Sequence, residues 1–253
     1  MSIYTSERPH SLSADSEARY FFVLPYCKGK DVLDVGTGLG FGAKYLSDNG
    51  AAKVLGIDYS ELSVEQAKKL SQKGLSFKHI NAQDLSKLAL KFDTIVLLEV
   101  LEHLPISDVP GVIKSLVNLL RPQGHLITTT PNGLKSRKIG DKLYNPYHVK
   151  EYLPDEVKKL LIPHFAKLTF KGLDWKNNQL VTAQNDIKKY WTYRLSVLLG
   201  HYKVIRELVG YIPKPIKHMV THEGNLPQLS VSDFFLSENY QKCDSLFIIC
   251  RKE

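Results

Sequence analysis

The run DVLDVGTGLGFG at residues 31–42 constrains this chain more than any other stretch. An apolar segment is followed by glycines at three alternate positions, Gly36, Gly38 and Gly40, and the acidic Asp34 stands two positions before the first of them. Glycines are needed where a backbone turns sharply or approaches a ligand closely, because they carry no side chain. The run therefore predicts a strand, a tight loop against a bound ligand and then a helix. The alternative is a tight strand–helix turn that binds nothing.

Short apolar segments follow this run at regular intervals, and helical patterns separate them. Strands that alternate with helices form a parallel sheet with helices on both faces. Before the run, Ser13 and Asp15 are suited to cap a helix that Pro25 and Gly29 end. The sequence therefore predicts a doubly wound α/β domain. Its strand segments are DVLDV (31–35), KVLGID (53–58), SFKHI (76–80), FDTIVLLEV (92–100), GHLITTT (124–130), FAKLTFKGLDW (165–175) and DSLFIICRK (244–252).

A long stretch, residues 176–243, separates the last two strand segments. An unstructured loop of this length is uncommon inside a compact domain. Apolar residues at every third or fourth position between Ile187 and Ile212 predict an amphipathic helix whose remaining surface is basic. We therefore divide the chain into an N-terminal arm and helix (1–30), a cofactor-binding core (31–175), a helical insertion that serves as a substrate lid (176–243) and a final core strand (244–253).

Composition excludes several protein classes. The chain has 253 residues, of which 43% are hydrophobic, and can bury a core without cross-links. Its three cysteines form neither a disulfide framework nor a CxxC pair, and no apolar run is long enough to cross a bilayer. We therefore expect a cytoplasmic protein. The net charge of +8 indicates either a solvated basic surface or an anionic partner, such as a nucleic acid, a phosphate-bearing substrate or a membrane surface.

Acidic residues and histidines stand where the predicted strands end. Asp58 closes the second strand, where a carboxylate can accept both hydroxyls of a ribose. Glu99, Glu102 and His103 follow the fourth strand, and His148 comes after the fifth. In an open α/β sheet these carboxyl ends face the ligand crevice. Two carboxylates and two imidazoles suit a divalent cation, and the sequence does not choose among Mg²⁺, Mn²⁺, Fe²⁺ and Zn²⁺.

These segments together resemble a known family. The GxGxG spacing after an acidic residue resembles the first motif of class I S-adenosylmethionine-dependent methyltransferases. The runs FDTIVLLEVLEHLP and LLRPQGHLITTTPN resemble signatures of one subgroup, which includes ubiquinone-biosynthesis O-methyltransferases, methyltransferases of bacterial surface-glycan gene clusters and small-RNA 2′-O-methyltransferases. The resemblance covers residues 30–172 and departs from the usual LKPGG turn, of which this chain keeps only Gly124.

The resemblance implies a Rossmann-like sheet of seven strands with the last strand antiparallel. It also implies S-adenosylmethionine as the cofactor, held by Asp34, the three glycines, Asp58 and Asp84, with Asp84 at the adenine amino group. A dinucleotide-dependent dehydrogenase would share the glycines and the acid after the second strand. It would not be expected to carry the ExxEH motif of residues 99–103.

Some members of the subgroup bind a divalent metal through the residues that correspond to Glu99, Glu102, His103 and His148. Such an ion lowers the pKa of an acceptor hydroxyl and orients it toward the methyl group. In the metal-free alternative, Glu99 binds substrate or cofactor, and His103 or His148 is the general base. A purely structural role for the pair Glu102 and His103 is the third interpretation.

We therefore predict an O-methyltransferase whose acceptor is a sugar hydroxyl of a surface glycan or of its activated, phosphate-bearing precursor. An RNA 2′-O-methyltransferase is one alternative, although no RNA-binding module is recognisable in the sequence. A small phenol or quinone precursor is another acceptor class. A non-catalytic subunit that only binds S-adenosylmethionine is the alternative from a different class, and such a subunit would not need the ExxEH motif.

Overall fold

The computed structural model describes residues 12–136, 138–139, 142–143, 145, 147–176 and 230–253. Strands and helices alternate along this part of the chain, as the apolar pattern predicts. The helices are α1 Ala14–Val23, α2 Phe41–Asp48, α3 Glu61–Lys68, α4 Val109–Leu119 and α5 Pro154–Leu161. The strands are β1 Asp31–Val35, β2 Lys53–Asp58, β3 Leu75–His79, β4 Phe92–Leu98, β5 Leu120–Pro131, β6 Lys138–Ile139, β7 Lys142–Leu143, β8 Lys167–Trp175, β9 Phe234–Ser237 and β10 Ser245–Arg251.

Eight of these strands form one sheet in the order β3-β2-β1-β4-β5-β10-β8-β9. The five strands β3, β2, β1, β4 and β5 are parallel to one another. β10 is antiparallel to both of its neighbours, β5 and β8. This arrangement confirms the Rossmann-like α/β fold class with an antiparallel last strand. The sheet has one strand more than the seven that the resemblance implies, because Phe234–Ser237 form β9 at its edge.

The central strands are buried on both faces, which explains their continuous apolar sequences. In β1, four of the five residues are buried, and in β4 five of the seven are. One face of the sheet packs against α4 and α5, whose inward residues include Ile113, Leu116 and Val157. Burying a side chain of this size contributes about 1.5–3 kcal/mol. The sheet therefore provides a rigid base for the loops at the carboxyl ends of its strands.

The N-terminal helix forms where the sequence predicts it, and α1 is followed by a short 3₁₀ turn at Leu24–Tyr26. The ring of Tyr20 on α1 lies against the first turn of α2 at Gly42. A Cβ atom on Gly42 would lie only 1.9 Å from Cζ of Tyr20, so this close packing requires glycine. Through this contact, α1 covers the beginning of the helix that follows the glycine run.

The chain divides into two units, Met1–Asp174 with Phe234–Glu253, and Trp175–Asp233. Most of the predicted insertion, including the helix at 187–212, lies outside the described residues, and the predicted domain boundaries stay a prediction. The structure differs from that prediction near the end of the insertion, because residues 234–237 form a strand of the main sheet. Among the described residues, no helix combines the length and the hydropathy needed to cross a bilayer.

Candidate active site

The sheet changes its winding direction between β1 and β4. From β1 the chain proceeds to β2 and β3 on one side, and from β4 it proceeds to β5 on the other. The loops after two such strands diverge and leave a crevice. Val35 of β1 pairs with Leu97 of β4, so the glycine loop and Glu99 start side by side. A Cβ atom on Gly36 would lie 2.4 Å from Cγ2 of Val100, which shows how closely the two loops approach each other.

Hydrogen bonds to β2 hold the glycine loop closed. The N–H groups of Gly36 and Thr37 both donate to one backbone carbonyl of β2 at 2.9 Å, and the N–H of Gly38 donates to Oδ2 of Asp58 at 2.8 Å. Gly36, Gly38 and Gly40 have φ angles of 78°, 56° and 82°, a region that side chains disfavour. The predicted cofactor glycines therefore belong to one loop that is ordered without a ligand.

Asp34 lies beneath this loop and is 1% exposed. The hydroxyl of Tyr20 lies 3.1 Å from each of its carboxylate oxygens, and the hydroxyl of Thr37 donates to Oδ2 at 2.7 Å. Burial raises the pKa of Asp34 to about 6, although these two donors oppose the rise. Asp34 thus connects α1 to the glycine loop, and its predicted direct contact with the cofactor stays a prediction.

Asp58 and Asp84 follow β2 and β3 as predicted. Asp58 is 7% exposed, and its carboxylate accepts the N–H groups of Gly38 at 2.8 Å and Ser60 at 2.9 Å. Each carboxylate oxygen has a second lone pair, so ribose hydroxyls remain compatible with these bonds. Asp84 lies in the 3₁₀ helix Ala82–Lys87 and pairs with Nζ of Lys87 at 2.7 Å. The ribose and adenine roles of the two residues stay predictions.

Glu99 follows β4 in a left-handed backbone conformation with φ 54°, which is uncommon for a residue other than glycine. Its N–H donates to the carbonyl of Thr129 on the neighbouring β5 at 3.0 Å. Its side chain faces α1, where Nε of Arg19 lies 3.3 Å from Oε1. Burial opposes the charge of Arg19, but Glu99 and Asp15 outweigh it and raise the pKa of the guanidinium. A buried ion pair therefore lies beside the crevice.

Glu102 is fully buried in the 3₁₀ helix Leu101–His103. Its Oε2 accepts the hydroxyl of Thr130 at 3.0 Å, and its Oε1 has no hydrogen-bond partner. Burial raises the pKa of Glu102 well above its ordinary value, and the charge of Glu99 raises it further. A buried acceptor without a donor is costly, so this oxygen is suited to receive a proton or a cation.

His103 and His148 lie beside this free oxygen. Their rings are 5.0 Å apart between centroids and meet edge to face, at 77°. Nδ1 of His103 contacts the carbonyl of Tyr147 at 2.9 Å, which places the proton on Nδ1 and leaves Nε2 unprotonated, 3.9 Å from Oε1 of Glu102. Burial lowers the pKa of His103, although the hydrogen bond to the carbonyl of Tyr147 opposes this shift.

Three of the four predicted metal ligands come together. One ligand atom each from Glu102, His103 and His148 lies within 4.8 Å of the others. Oxygen and nitrogen ligands of one tetrahedral Zn²⁺ stand about 3.3–3.6 Å apart, so binding would draw these atoms together by up to about 1.5 Å. The free oxygen of Glu102 gives this donor set the chemistry of a cation site. Glu99 lies outside the group and faces Arg19 instead, so its role as a fourth ligand stays a prediction.

Sequence reasoning missed several residues of this region. Arg19 and Tyr20 reach the crevice from α1, and Glu151 contacts Nδ1 of His148 at 2.7 Å. The signal for Arg19 was a single cation in the apolar segment EARYFFV, and the signal for Glu151 was its position three residues after His148. The contact of Arg19 joins segments whose relative placement depends on the fold, whereas the contact of Glu151 with His148 is local and depends on the conformation of their loop.

Comparison with known proteins places this geometry in a family. The sequence profile described as a methyltransferase domain matches residues 7–167, which is more than half of the chain. A probable S-adenosylmethionine-dependent methyltransferase of Mycolicibacterium smegmatis is 32% identical over 135 residues, 53% of this chain and 51% of that protein. A ubiquinone biosynthesis O-methyltransferase of Coxiella burnetii is 38% identical over 108 residues, 42% of this chain and 45% of that protein. The chain thus spans about half the length of the curated relatives it matches.

Solved structures agree on the fold. The crystal structure of an S-adenosylmethionine-dependent methyltransferase from Archaeoglobus fulgidus superposes with a TM-score of 0.61 and covers 93% of this chain and 92% of its own. Its sequence identity is 15%, so the likeness concerns the fold alone. Together with the glycine loop at the switch point and the sequence match over residues 7–167, it leads to one conclusion: the chain belongs to the methyltransferase-domain family of S-adenosylmethionine-dependent enzymes.

Proposed function

We propose that this protein transfers the methyl group of S-adenosylmethionine to a hydroxyl oxygen, with a divalent metal held by Glu102, His103 and His148. The observation that supports it is the convergence of three basic atoms: the free Oε1 of Glu102 and the ring nitrogens of the two histidines. Glu102 and His103 follow β4 in the segment that approaches the glycine loop through Val100, and His148 joins them from the segment after β5. When bound, a divalent ion lowers the pKa of an acceptor hydroxyl and orients it.

In the reaction, an oxygen lone pair of the acceptor forms a bond to the methyl carbon while the carbon–sulfur bond breaks. S-adenosylhomocysteine is released, and the proton of the hydroxyl passes to a base. With an ion bound, the free nitrogens of both histidines would be occupied, so the proton would leave to water. In the metal-free alternative, His103 is the accessible base, because its side chain is 42% exposed. The ion pair of Arg19 and Glu99 supplies fixed charges between the loop and the metal ligands, and Arg19 is also suited to bind the cofactor's carboxylate.

Our choice of acceptor class rests on the similarity of this chain to other methyltransferases. The 38% identity to a ubiquinone biosynthesis O-methyltransferase supports a hydroxyl acceptor and makes a small phenol one candidate. Our preferred acceptor is a sugar hydroxyl of a surface glycan or its phosphate-bearing precursor, which rests on the resemblance of the terminal segments to glycan-cluster methyltransferases. Two adjacent sugar hydroxyls would chelate one ion, and a ribose end of RNA offers the same pair of oxygens.

Metal binding is testable without knowing the acceptor. After treatment with EDTA and desalting, the protein is titrated with Co²⁺ and followed by its visible absorbance and by calorimetry. We expect one ion per chain, and a loss of affinity of at least about tenfold in Glu102→Gln and in His103→Gln. Glu99→Gln is the matched control, because Glu99 lies outside the three-residue group, and its affinity for Co²⁺ should stay within about threefold of wild type.

Activity assays then distinguish metal-dependent methyl transfer from metal-free methyl transfer and from a non-catalytic role. Release of S-adenosylhomocysteine is measured with a glycan precursor, a dihydroxybenzoate and a short RNA as acceptors, with and without EDTA. We expect turnover with one hydroxyl acceptor that EDTA abolishes and Mn²⁺ or Mg²⁺ restores. Turnover that survives EDTA, together with no binding of Co²⁺, would exclude the metal and leave His103 as a general base. Binding of S-adenosylmethionine without turnover on any class would favour the non-catalytic subunit.

A further inference from the structure

The protonation state of His148 follows from the hydrogen bonds of Asn145. The backbone N–H of Tyr147 donates to Oδ1 of Asn145 at 3.1 Å, which fixes the orientation of the side-chain amide. The amide nitrogen, Nδ2, therefore faces His148 and lies 2.8 Å from Nε2. Since an amide nitrogen only donates hydrogen bonds, Nε2 must accept and carries no proton. His148 is thus a neutral imidazole with its proton on Nδ1.

Glu151 receives that proton. Its Oε1 lies 2.7 Å from Nδ1 of His148, and both side chains are 10% exposed. The second oxygen, Oε2, accepts the hydroxyl of Ser136 at 2.6 Å, so the carboxylate is held at both ends. Its two partners come from different segments of the chain, and a carboxylate fixed in this way determines both the rotation of the imidazole ring and the nitrogen that keeps the proton.

His103 provides the contrast within the same group. Its Nδ1 also carries the proton, but the acceptor is the backbone carbonyl of Tyr147, a bond that no side-chain substitution removes. His103 directs Nε2 toward Oε1 of Glu102 at 3.9 Å, and His148, whose Nδ1 contacts Glu151, offers Nε2 to the same group. Among the described residues, the acceptor that holds the ring of His148 is a side chain, and the amide of Asn145 covers its Nε2.

We propose that Glu151 is a positioning residue that holds His148 with its proton on Nδ1, and that Asn145 covers Nε2 until the ligand of the site displaces it. The inference rests on the proposed function only for the nature of that ligand, which is the divalent ion or the acceptor hydroxyl. Ser136 holds Glu151 in place. No group in this arrangement touches the reacting atoms except His148, so Glu151, Ser136 and Asn145 act through it.

The tautomer can be observed directly in metal-free protein. Two-bond ¹H–¹⁵N correlation spectra distinguish protonated from unprotonated ring nitrogens, and His148→Gln and His103→Gln assign the two rings. At pH 8 we expect both rings to carry the proton on Nδ1. Because Asn145 also favours the Nδ1 form, the test is made in the Asn145→Ala background, where His148 should keep its proton on Nδ1. Adding Glu151→Ala should change His148 to the form protonated on Nε2, while His103 stays unchanged as the internal control. Adding Glu151→Gln instead should keep the Nδ1 form, since the amide oxygen still accepts.

Co²⁺ titration supplies the functional readout. Glu151→Ala should bind Co²⁺ about 10–100-fold more weakly than wild type, and Glu151→Gln should recover most of that loss. Ser136→Ala should show a smaller decrease, because Glu151 stays in place with one bond fewer. Asn145→Ala should bind as tightly as wild type or more tightly, since a competing donor is gone.

The positioning role of Glu151 and the metal part of the proposed function can be disproved independently. A wild-type His148 protonated on Nε2, or a tautomer that Glu151→Ala leaves unchanged in the Asn145→Ala background, would overturn the role of Glu151 whatever the site binds. Weaker Co²⁺ binding in Asn145→Ala would overturn the covering role of Asn145 and make it a ligand. If the tautomer responds as expected but wild-type protein binds no Co²⁺, Glu151 keeps its positioning role and the metal part of the proposed function is wrong.

Discussion

The polar groups around the glycine loop and those after β4 lie on neighbouring strands, but their hydrogen bonding differs. On the glycine side, Asp34 and Asp58 are nearly buried, and their carboxylate oxygens accept donors from the protein. On the other side, among the described residues, Oε1 of Glu102 is buried without a hydrogen-bond partner, and Nε of Arg19 and Oε1 of Glu99 form an ion pair at 3.3 Å without a hydrogen bond.

Buried charged groups have different effects in the two regions. A satisfied network fixes the shape of a binding loop before the ligand arrives, so little ordering is needed on binding. Unsatisfied groups raise the free energy of the empty site, and a ligand that supplies the missing partner gains that energy. We infer that the glycine side is organised in advance for the cofactor, and that the side after β4 is organised to receive a cation and a reacting hydroxyl.

The largest effect is expected from removing Arg19, which pairs with Glu99. Arg19→Met leaves the buried Glu102 and the partly buried Glu99 without this guanidinium, and the free energy of unfolding should fall by about 3 kcal/mol, the lower end for breaking a buried ion pair. Urea unfolding measures it. The double variant Arg19→Met with Glu99→Gln should recover part of the loss, because one buried charge has been removed together with its partner.

Arg121→Met is the matched control for this prediction. Arg121 also pairs with two aspartates, Asp31 at 2.9 Å and Asp93 at 2.8 Å, but it is 40% exposed. Water screens such a pair, so its removal should cost much less. Equal losses for the two arginine variants would show that the pair of Arg19 and Glu99 is no more strained than a surface pair, and the comparison would fail.

The buried carboxylate Asp34, on the glycine side, should make the free energy of unfolding depend on pH. Because the pKa of Asp34 is raised from 3.8 to about 6, the folded protein holds this proton more tightly than the unfolded chain does. The free energy of unfolding should therefore fall as the pH rises from about 4 to about 6, by about 3 kcal/mol at most. Asp34→Asn still accepts from Tyr20 and Thr37, and it should lose this contribution to the pH dependence.

Asp155→Asn is the control for that measurement, since Asp155 is exposed at the beginning of α5. Its pH dependence of unfolding should match that of wild type. An unchanged slope between pH 4 and 6 in Asp34→Asn would mean that Asp34 titrates as in the unfolded chain, so that the hydrogen bonds from Tyr20 and Thr37 offset the effect of burial completely.

The smallest expected effect concerns the ligand itself. Asp58→Ala should weaken the binding of S-adenosylhomocysteine by about 1–3 kcal/mol, because ribose hydroxyls and the N–H of Gly38 lose a charged acceptor. Calorimetry measures it. Ser60→Ala keeps the backbone N–H that donates to Asp58 and removes only the cap of α3, which costs about 1 kcal/mol of stability. If the two variants bind equally well, the ribose is held elsewhere.

Much of the fold could be predicted from the sequence because its determinants are local. The strand, loop and helix around Gly36, Gly38 and Gly40 follow from backbone conformations that only glycine adopts easily. The buried strands follow from continuous apolar segments, and the N-terminal helix follows from its cap and its proline. β9 was missed, because residues 234–237 form a strand only by pairing at the sheet edge beside β8.

The candidate site divides in the same way. The sequence by itself determined which residues stand at the carboxyl ends of the strands, including Asp58, Glu99, Glu102 and His103, since the end of a strand is a local property. Only the tertiary structure decided the partners: that Glu99 faces Arg19 of α1, and that His148 lies beside His103. These contacts join segments whose positions depend on helix docking and loop paths, and no periodicity or spacing within either segment records the other.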